Sequence, residues 1–366
     1  MIIGIDARSL IEPNLTGVGH YTKAMLRQLF LLDQQNQYKL FLNSFKKMST
    51  EVLTEFENLP NVRIYRFNYP SKLLNLSLSF LGRPKLDMLV GGCDLFWLPN
   101  LGFYSISSGC KTVITVHDLS FERLPWAYSA KRQLWHKVIN PPFKLKLTDK
   151  IIAVSKNTKK DLVNLYHLPS GKIEVIYPGV SLRQGKIRKD LPEKYILYLG
   201  TLEPRKNIES IIKAFEKLNR PEYSLVIAGS KGWLYQPIYR LAKKSKLKDQ
   251  IKFVNYVKEE EKFFLYKKAS LFIWPSFYEG FGLPPLEAMK AGCPVIAASD
   301  SSLPEVLNSG VMLVDPYNLE EIAKAMELIL DNQRLKEDLT AKASEIVKKY
   351  DWQTSAKQLL EVFNRL

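Results

Sequence analysis

The feature that most constrains the fold of this 366-residue sequence is a regular alternation of short apolar segments with longer helical or loop stretches. Because the apolar segments are mostly β-branched or aromatic, the alternation predicts parallel α/β sheets whose strands are joined through helices. The strand-like segments are "MIIGIDA", "YKLFLN", "VRIYRF", "LFWLP", "KTVITVHD", "KIIAVS" and "KIEVIYPG" in the first half, and "YILYLG", "YSLVIAG", "IKFVNY", "LFIWPS" and "PVIAAS" in the second.

A polar, basic stretch separates the two series and predicts two domains, in a chain longer than one hydrophobic core normally serves. Since open α/β sheets bind ligands beyond the carboxyl ends of their strands, we expect two Rossmann-like domains whose parallel sheets face a central cleft. The expected bounds are 1–180 for the first domain, 181–193 for the linker, 194–350 for the second domain, and 351–366 for a terminal helix that packs back on the first.

The sharpest motif is "SFYEGFGLPPLEAMKAG" at residues 276–292. A strand that ends at Trp274 is followed by a glycine-containing loop and a helix, which we expect to begin at Pro284 or Pro285 because proline needs no donor at a first helical position. The glycines permit close approach of a ligand, and the amides and positive dipole end of the helix favour a diphosphate.

Glu279 and Glu287 lie in the same motif, and we expect Glu287 in the first helical turn, facing the same space as Glu279. Two carboxylates beside an anion site suit neutral partners, because sugar and ribose hydroxyls donate well to carboxylate oxygens. The alternative is a capped helix with two surface glutamates.

In "YLGTLEPRKNIESIIKAF" a strand ends at Gly200, and Arg205 and Lys206 precede a helix that begins near Asn207. Two adjacent cations there can neutralise a leaving diphosphate, as a divalent metal does elsewhere. A solvated basic loop is the alternative.

The first half carries two weaker signals. In "VITVHDLSF", His117 and Asp118 follow a buried-type strand, where imidazole can hydrogen-bond a sugar hydroxyl, although a lone histidine is often structural. In "TGVGHY", Gly17 and Gly19 resemble a phosphate cradle without the full dinucleotide-binding spacing, so an ordinary tight turn stays open.

The net charge of +16 favours phosphates or anionic lipid headgroups, and the sequence lacks the zinc-ligand spacing, aromatic signature and basic tail typical of nucleic-acid binding. Segment 122–147 combines aromatic with basic residues, which suits contact with an anionic membrane or ordinary helix packing. Segment 72–85 is a second candidate for contact with the acceptor or a membrane.

The three cysteines are too scattered for a disulfide framework, and the sequence shows no signal peptide and no run of about 18 apolar residues. We therefore expect a cytoplasmic protein with peripheral membrane contact.

With these residues assembled, the chain resembles the family 4 glycosyltransferases, which are retaining enzymes of the two-Rossmann GT-B architecture. The resemblance runs nearly end to end and rests on the paired-glutamate motif, "TGVGHY", "HDLSF", "GTLEPRKN" and "SSLPEVLNSGVMLVDP". It is closest to bacterial enzymes that build surface polysaccharides such as lipopolysaccharide, often with mannose or a related donor. Where many relatives have arginine after the glycine loop, this chain has His20.

The resemblance implies a hexosyltransferase that uses a nucleotide diphosphate sugar and a glycan or lipid-linked acceptor, without a metal or other cofactor. It implies same-face attack by the acceptor hydroxyl, with the departing phosphate assisting deprotonation. The implied catalytic residues are His117, Arg205, Lys206 and Glu279; the implied donor-binding residues are Gly17, Gly19, Gly200, Val257, Phe281, Gly282, Leu283 and Glu287.

Two other functions stay open at this stage. A glycoside hydrolase would use Glu279 and Glu287 as an acid and nucleophile pair, but that chemistry does not require Arg205 and Lys206. A non-catalytic protein that binds nucleotide sugars or polyanions would bind the donor without turnover.

Overall fold

The chain forms two units in a computed structural model that describes residues 1–11, 15–45, 53–186, 188 and 191–366. The predicted linker at 181–193 therefore lies partly outside the described residues. Unit 1 comprises Met1–Leu119, Leu134–Gly179 and Trp352–Leu366, and unit 2 comprises Ser120–Gln133 and Val180–Asp351.

In the described part of unit 1, seven strands form one parallel sheet in the order β3-β2-β1-β4-β5-β6-β7. The strand order reverses between β1 and β4, which makes their carboxyl ends the place where a doubly wound sheet binds ligands. The strands are β1 Ile2–Asp6, β2 Gln37–Asn43, β3 Val62–Phe67, β4 Leu95–Leu98, β5 Lys111–Val116, β6 Lys150–Ala153 and β7 Ile173–Val175.

Unit 2 has a second parallel sheet, with six strands among its described residues in the order β10-β9-β8-β11-β12-β13. Here the order reverses between β8 and β11, and both strands are buried along their whole length, as expected for a sheet covered on both faces. The strands are β8 Tyr195–Leu199, β9 Ser224–Ala228, β10 Ile251–Val254, β11 Leu271–Trp274, β12 Val295–Ala298 and β13 Met312–Val314. The two Rossmann-like sheets confirm the predicted fold class.

Helices connect the strands as the apolar periodicity predicts. The α-helices are α1 Gly17–Leu32, α2 Thr54–Glu57, α3 Ser71–Phe80, α4 Leu86–Leu89, α5 Ser120–Arg123, α6 Ala130–Ile139, α7 Pro141–Leu147, α8 Lys156–Tyr166, α9 Ile208–Leu218, α10 Gln236–Lys244, α11 Glu259–Lys267, α12 Leu283–Lys290, α13 Leu303–Leu307, α14 Leu319–Asp331, α15 Gln333–Val347 and α16 Trp352–Asn364. Short 3-10 turns lie at Arg8–Leu10, Pro125–Ala127, Ser170–Lys172, Pro204–Lys206, Lys248–Gln250 and Asn308–Gly310. Within the described ranges, no helix is both long and apolar enough to cross a membrane.

The C-terminal helix α16 belongs to the core of unit 1. Trp352 packs edge-on against Tyr21 of α1 with ring centroids 5.7 Å apart, and Phe363 lies 6.0 Å from Trp97 of β4. The last residues of the chain thus complete the core that its first strands begin.

Segment 120–133 lies in unit 2, although the sequence analysis placed it in the first domain. The reason is an aromatic contact: the Trp233 indole donates to the carbonyl oxygen of Ala127 at 2.6 Å and stacks on Tyr128 at 5.3 Å. The guanidinium of Arg132 lies 3.9 Å from the centre of the same indole. These side chains are over a hundred positions apart, so their contact has no local sequence signal.

The cysteines are also closer than their spacing suggests. The Sγ atoms of Cys93 and Cys110 lie 3.6 Å apart as free thiols, at the amino-terminal ends of β4 and β5. They therefore lie at the opposite ends of the strands from the carboxyl ends, where a doubly wound sheet binds ligands.

Candidate active site

The loop after β8 places Arg205 and Lys206 in the 3-10 turn Pro204–Lys206, directly before α9. Asn207 ends this turn in the left-handed conformation, with a φ of 57°. Its side-chain amide donates to the carbonyl oxygens of Pro275 at 3.0 Å and Pro316 at 2.8 Å. The asparagine therefore fastens the loop after β8 to the loops that follow β11 and β13.

The carboxylate of Glu279, from the loop after β11, joins both cations. Its Oε1 accepts from Lys206 Nζ at 2.6 Å and from the Trp274 indole at 3.1 Å, and its Oε2 accepts from Arg205 Nη1 at 3.1 Å. The three charged side chains are each at most 11% exposed. The predicted residues Arg205, Lys206 and Glu279 thus form one buried cluster at the β8–β11 switch point.

Glu203 is a further member that the sequence analysis missed. Its carboxylate accepts from Nε of Arg205 at 3.1 Å and from Nη2 at 2.8 Å, while Nη1 of Arg205 also donates to the carbonyl oxygen of Tyr278 at 2.7 Å. Glu203 stands two positions before Arg205 in the same strand-end loop, and this spacing is the signal that could have identified it. Because several acceptors hold the guanidinium, its orientation is set before any ligand binds.

Electrostatics keep the carboxylate of Glu279 ionised. Burial alone would raise the pKa of Glu279, but the charges of Lys206 and Arg205 outweigh burial and lower that pKa to about 2. Burial and the neighbouring Arg205 lower the pKa of Lys206 from its ordinary value, against the opposing effect of Glu279. The ammonium of Lys206 also lies 4.5 Å from the centre of the Trp274 ring, where the aromatic face stabilises positive charge.

The glycine loop and α12 correct the predicted helix start. Gly282 has a φ of 98°, and α12 begins at Leu283, ahead of the predicted Pro284 or Pro285. The two prolines still occupy the first turn, where a missing N–H costs least, so Glu287 lies in the second turn and not in the first.

Phe281 and Gly282 are the predicted amide donors at this helix start, together with Leu283. Phe281 is buried and packs edge-on against Tyr350, with ring centroids 5.4 Å apart. A Cβ atom at Gly282 would lie 2.7 Å from Leu303 Cδ2, so packing as well as backbone conformation requires glycine there.

Glu287 has its own partners. Its carboxylate accepts from Lys262 Nζ at 3.3 Å and from the Tyr266 hydroxyl at 3.0 Å, and Lys262 also pairs with Glu259 at 2.5 Å. Burial raises the pKa of Glu287, although the charge of Lys262 acts in the opposite direction. Glu279 and Glu287 are therefore held by different side chains, both from unit 2.

Two glycines bring the strand ends of unit 2 close together. A Cβ atom at Gly200 would lie 2.7 Å from the Trp274 ring, and one at Gly229 would lie 2.0 Å from the carbonyl oxygen of Gly200. Gly200 is a predicted donor-binding residue; the structure shows that its lack of a side chain makes room for the indole that donates to Glu279. Val257 lies buried in the loop after β10.

In unit 1, His117 follows β5 at the carboxyl edge of the sheet. Its Nε2 lies 2.9 Å from the carbonyl oxygen of Pro99, which can only accept a hydrogen bond. In the neutral ring, Nε2 therefore carries the proton and Nδ1 is an acceptor. Burial lowers the pKa of His117, so the ring is neutral at neutral pH.

Gly17 and Gly19 differ in their surroundings at the start of α1. A Cβ atom at Gly19 would lie 2.9 Å from both Leu15 Cδ2 and the carbonyl oxygen of Ser9, so packing explains that glycine. A Cβ atom at Gly17 meets nothing within 4 Å. The Thr16 side chain makes no capping hydrogen bond to the helix. The amide end of α1 beside Gly17 is therefore open.

Acidic and cysteine side chains do not gather into a metal site here: over the described positions, no three His, Cys, Asp or Glu residues are grouped so that they could hold a metal ion. The charged groups of the buried cluster are cations paired with carboxylates.

Comparison with known proteins identifies two adjoining family regions. Residues 17–184 match Glycosyltransferase Family 4, and residues 182–346 match Glycosyl transferases group 1. The chain is 26% identical over 381 residues to O-antigen chain mannosyltransferase B of Escherichia coli, with 99% of each protein covered.

Solved structures agree in fold. Sucrose-phosphate synthase from Thermosynechococcus elongatus aligns with a TM-score of 0.78 and 21% identity, over 100% of this chain and 98% of that one. The Anabaena protein HepE, in complex with UDP and glucose, aligns with a TM-score of 0.73 and 16% identity, over 100% and 99% of the two chains. These likenesses confirm the predicted GT-B fold class.

Glu279→Gln is expected to remove an acid-sensitive part of the stability of unit 2. The folded-state pKa of about 2 lies below the ordinary 4.5, so this stabilisation is complete above pH 4.5 and disappears as the pH falls towards 2. The shift corresponds to about 3 kcal/mol.

The measurement is the urea-unfolding free energy from pH 7 down to pH 3, with Glu345→Gln, an exposed glutamate of α15, as the control. The wild type and the control should lose more stability on acidification than Glu279→Gln. Equal losses in all three proteins would show that Glu279 is not held ionised by its partners.

Proposed function

We propose that this chain, which belongs to the glycosyltransferases through its family 4 and group 1 regions, moves a hexosyl group from a nucleoside diphosphate sugar to a glycan or lipid-linked acceptor. The transfer retains the configuration of the anomeric carbon and contributes to surface polysaccharide synthesis. The observation that carries the proposal is the buried cluster of Arg205, Lys206 and Glu279 at the switch point of the unit 2 sheet.

Arg205 and Lys206 are assigned to the donor diphosphate. In the reaction, the bond from the anomeric carbon to the phosphate oxygen breaks and negative charge develops on the diphosphate. Cations already held in place by Glu203 and Glu279 stabilise this charge without reorganisation in the transition state. The acceptor hydroxyl attacks on the same face, and the departing phosphate oxygen takes its proton, so no protein nucleophile is required.

Glu279 and Glu287 are assigned to hydroxyl groups of the donor. A carboxylate with a pKa of about 2 remains ionised and only accepts hydrogen bonds, which suits Glu279 to the hydroxyls of the transferred sugar. Glu287 is assigned to the nucleotide ribose, and the backbone amides at 281–283 to sugar and phosphate.

Unit 1 supplies His117 and Gly17 in this proposal. The Nδ1 atom of the neutral His117 ring can accept a hydrogen bond from a donor sugar hydroxyl. The amide end of α1 at Gly17 is assigned to the donor phosphates, because the space beside Gly17 is open.

Mannose is the proposed sugar, and a nucleoside diphosphate is the proposed carrier. The E. coli relative matched over its whole length is named a mannosyltransferase, and the structure of HepE holds UDP and glucose. The loop that contains Val257 is assigned to the nucleoside base. Metal independence is part of the proposal, since Arg205 and Lys206 supply the positive charge that a metal ion supplies in other sugar transferases.

Lys206→Gln, Arg205→Gln and Glu279→Gln are each expected to lower kcat/KM for transfer by about 100-fold or more, because each removes a preorganised group from the donor site. The assay follows nucleoside diphosphate release and product formation from UDP-, GDP- and ADP-sugars, including GDP-mannose, with EDTA present. Lys217→Gln is the control, because Lys217 on α9 pairs with the exposed Glu320, away from the buried cluster.

Unchanged turnover in all three site variants, with folding verified by urea unfolding, would contradict the assignment. Loss of turnover on EDTA addition would contradict metal independence. Hydrolysis of a sugar substrate without a nucleotide would favour a glycoside hydrolase, and donor binding without turnover would favour a binding protein.

Gly17→Ala is expected to lower kcat/KM about tenfold or more while leaving stability unchanged, because the added methyl group enters the open space at the start of α1 and displaces the donor phosphates. Gly19→Ala is the comparison, and it should lower the unfolding midpoint through its contact with Ser9. Normal donor affinity and turnover in Gly17→Ala would remove this helix start from the donor site.

Peripheral contact with an anionic membrane is also proposed, through one surface of unit 1. Exposed apolar side chains lie on α3, α6 and α7, and exposed lysines lie on the same helices. We define the membrane-facing surface by Leu73, Leu76, Phe80, Leu134, Phe143 and Leu147, which are 56–70% exposed, together with Lys72, Lys137 and Lys146. Apolar side chains beside cations are the combination that partitions into an anionic interface.

Replacing Phe80 and Phe143 together by Ser is expected to weaken sedimentation with phosphatidylglycerol vesicles severalfold, because both rings lose burial in the interface. Leu31→Ser on α1 is the control, since Leu31 is 73% exposed but lies outside that surface. Vesicles of uncharged lipid should retain less protein than anionic ones at physiological salt. Equal retention of wild type and double variant would contradict the proposed surface.

A further inference from the structure

A loop in unit 1 is held by three cationic side chains that the proposed reaction does not use. Among the described residues, Arg8, Lys85 and Lys144 all bind the segment 102–106, which we call the cationic loop. The bonds run from Lys144 Nζ to the carbonyl oxygens of Gly102 (3.4 Å) and Tyr104 (3.1 Å), from Arg8 Nη2 to the carbonyl oxygen of Phe103 (2.7 Å), and from Lys85 Nζ to Ser105 Oγ (2.9 Å) and the carbonyl oxygen of Ile106 (3.4 Å).

Positive charge exceeds negative charge at this loop, because three cations lie near two carboxylates, those of Asp6 and of the buried Asp87, whose Oδ1 accepts from the backbone N–H of Ser107 at 3.0 Å. Asp6 pairs with Arg8 through Nε at 2.8 Å and Nη2 at 2.6 Å, whereas the described partners of the Lys144 and Lys85 amines are carbonyl and hydroxyl oxygens. Nη1 of Arg8 takes no part in these bonds. A partly buried cation without a carboxylate partner is costly, so an anion that binds here gains the interaction that the protein leaves open.

The pKa of Lys144 reflects its burial and the excess of positive charge at the loop. Burial and the neighbouring charge of Arg8 lower the pKa of Lys144 to about 8, although its amine lies 4.2 Å from the centre of the Tyr104 ring. Near this amine lie Arg8, which pairs with Asp6, and Tyr104, whose pKa burial raises to about 12.

The position of the loop points to a ligand. Arg8 follows β1 and the cationic loop follows β4, and these are the two strands between which the order of the unit 1 sheet reverses. Carboxyl ends at such a switch point form the crevice in which doubly wound sheets bind ligands. The connection after β4 also contains Pro99, the partner of His117, so the loop shares the edge that carries the predicted sugar-binding histidine.

Exposed apolar side chains lie next to the loop at two places. The Trp135 ring of α6 packs against Phe103 at 5.6 Å and is itself 40% exposed. Ser105 donates to the carbonyl oxygen of Gly82 at 2.7 Å, beside the end of α3, where Phe80 and Leu81 are 69% and 74% exposed. A ligand that pairs with the cations and also covers these apolar side chains has an anionic group and an attached hydrocarbon chain.

We propose that the cationic loop binds the phosphate of a lipid-phosphate acceptor, with Arg8, Lys85 and Lys144 as its donors and the membrane-facing surface beside its hydrocarbon chain. This proposal rests on the proposed transferase function, because it names the chemical class of the acceptor. The phosphate is bound at a different site from the donor diphosphate, which is assigned to Arg205 and Lys206.

The first test measures binding of dodecyl phosphate, below its micelle concentration, by calorimetry. Lys144→Gln and Lys85→Gln should each weaken binding about tenfold or more, as expected for loss of a charge-assisted hydrogen bond. Lys160→Gln, at an exposed lysine of α8 outside the membrane-facing surface, should bind like the wild type. Dodecyl maltoside, which has the same chain and an uncharged head, should bind all four proteins equally.

A second readout follows the Lys144 amine by nuclear magnetic resonance. Its pKa should rise when dodecyl phosphate binds and should stay near 8 with dodecyl maltoside. A merely structural lysine would keep its pKa with both ligands, which would overturn the proposal.

The third test compares transfer to a sugar linked to dodecyl phosphate with transfer to the dodecyl glycoside of the same sugar. Lys144→Gln should raise the acceptor KM about tenfold for the phosphate-linked compound alone and leave the donor KM unchanged. If Lys144→Gln changes only retention by phosphatidylglycerol vesicles, the loop contacts membrane headgroups and the proposal is wrong. If dodecyl phosphate binds as expected but no nucleotide sugar supports turnover, the transferase function fails and the anion site stands.

Discussion

The carboxylate of Glu279 is the group on which the candidate site of unit 2 depends. A buried ion costs several kcal/mol unless it is paired and hydrogen-bonded, and Glu279 is almost completely buried. Lys206, Arg205 and Trp274 supply its donors, so each of these side chains is fixed because the others are present. Glu203 extends this dependence, since it holds the far side of the Arg205 guanidinium. The cluster is rigid before a ligand arrives, which is the condition under which fixed charges stabilise a transition state most effectively.

The packing around Trp274 shows how the sheet supports this cluster. The indole stacks on Tyr198 of β8 with ring centroids 5.2 Å apart, and it occupies the space that a side chain at Gly200 would need. Gly229 then lets the loop after β9 approach the backbone of Gly200. The donor-binding glycine predicted at position 200 therefore has a structural task that precedes any contact with a ligand. A larger residue there would displace the indole and remove a donor from Glu279.

The sequence predicts those features of the structure that arise from residues close together in the chain, and it misses those that arise from distant contacts. Alternating apolar segments predict both sheets, because strand and helix periodicities are local. The motifs also identify Glu279, Arg205 and Lys206 as candidate site residues, but not the ion pairs between them. The start of α12 was misplaced because two adjacent prolines fit several positions of a first turn. Segment 120–133 was assigned to the wrong unit because the Trp233 indole that binds it is about a hundred residues away. The cationic loop escaped notice for the same reason, since its three cations come from distant parts of the chain.

Burial alone would raise the pKa of Glu279 and lowers the pKa of His117, yet both side chains are left able to accept hydrogen bonds. Burial raises the pKa of a carboxyl group, but at Glu279 two cations reverse the effect and preserve a carboxylate. Burial lowers the pKa of His117, and neither the bond to Pro99 nor the charge of Asp118 overcomes it, so a neutral ring remains. Both side chains thus present lone pairs, which are the groups that neutral sugar hydroxyls need as partners. Burial lowers the pKa of Lys206 and of Lys144. Lys206 lies against the carboxylate of Glu279, whereas Lys144 is held by the carbonyl oxygens of the cationic loop.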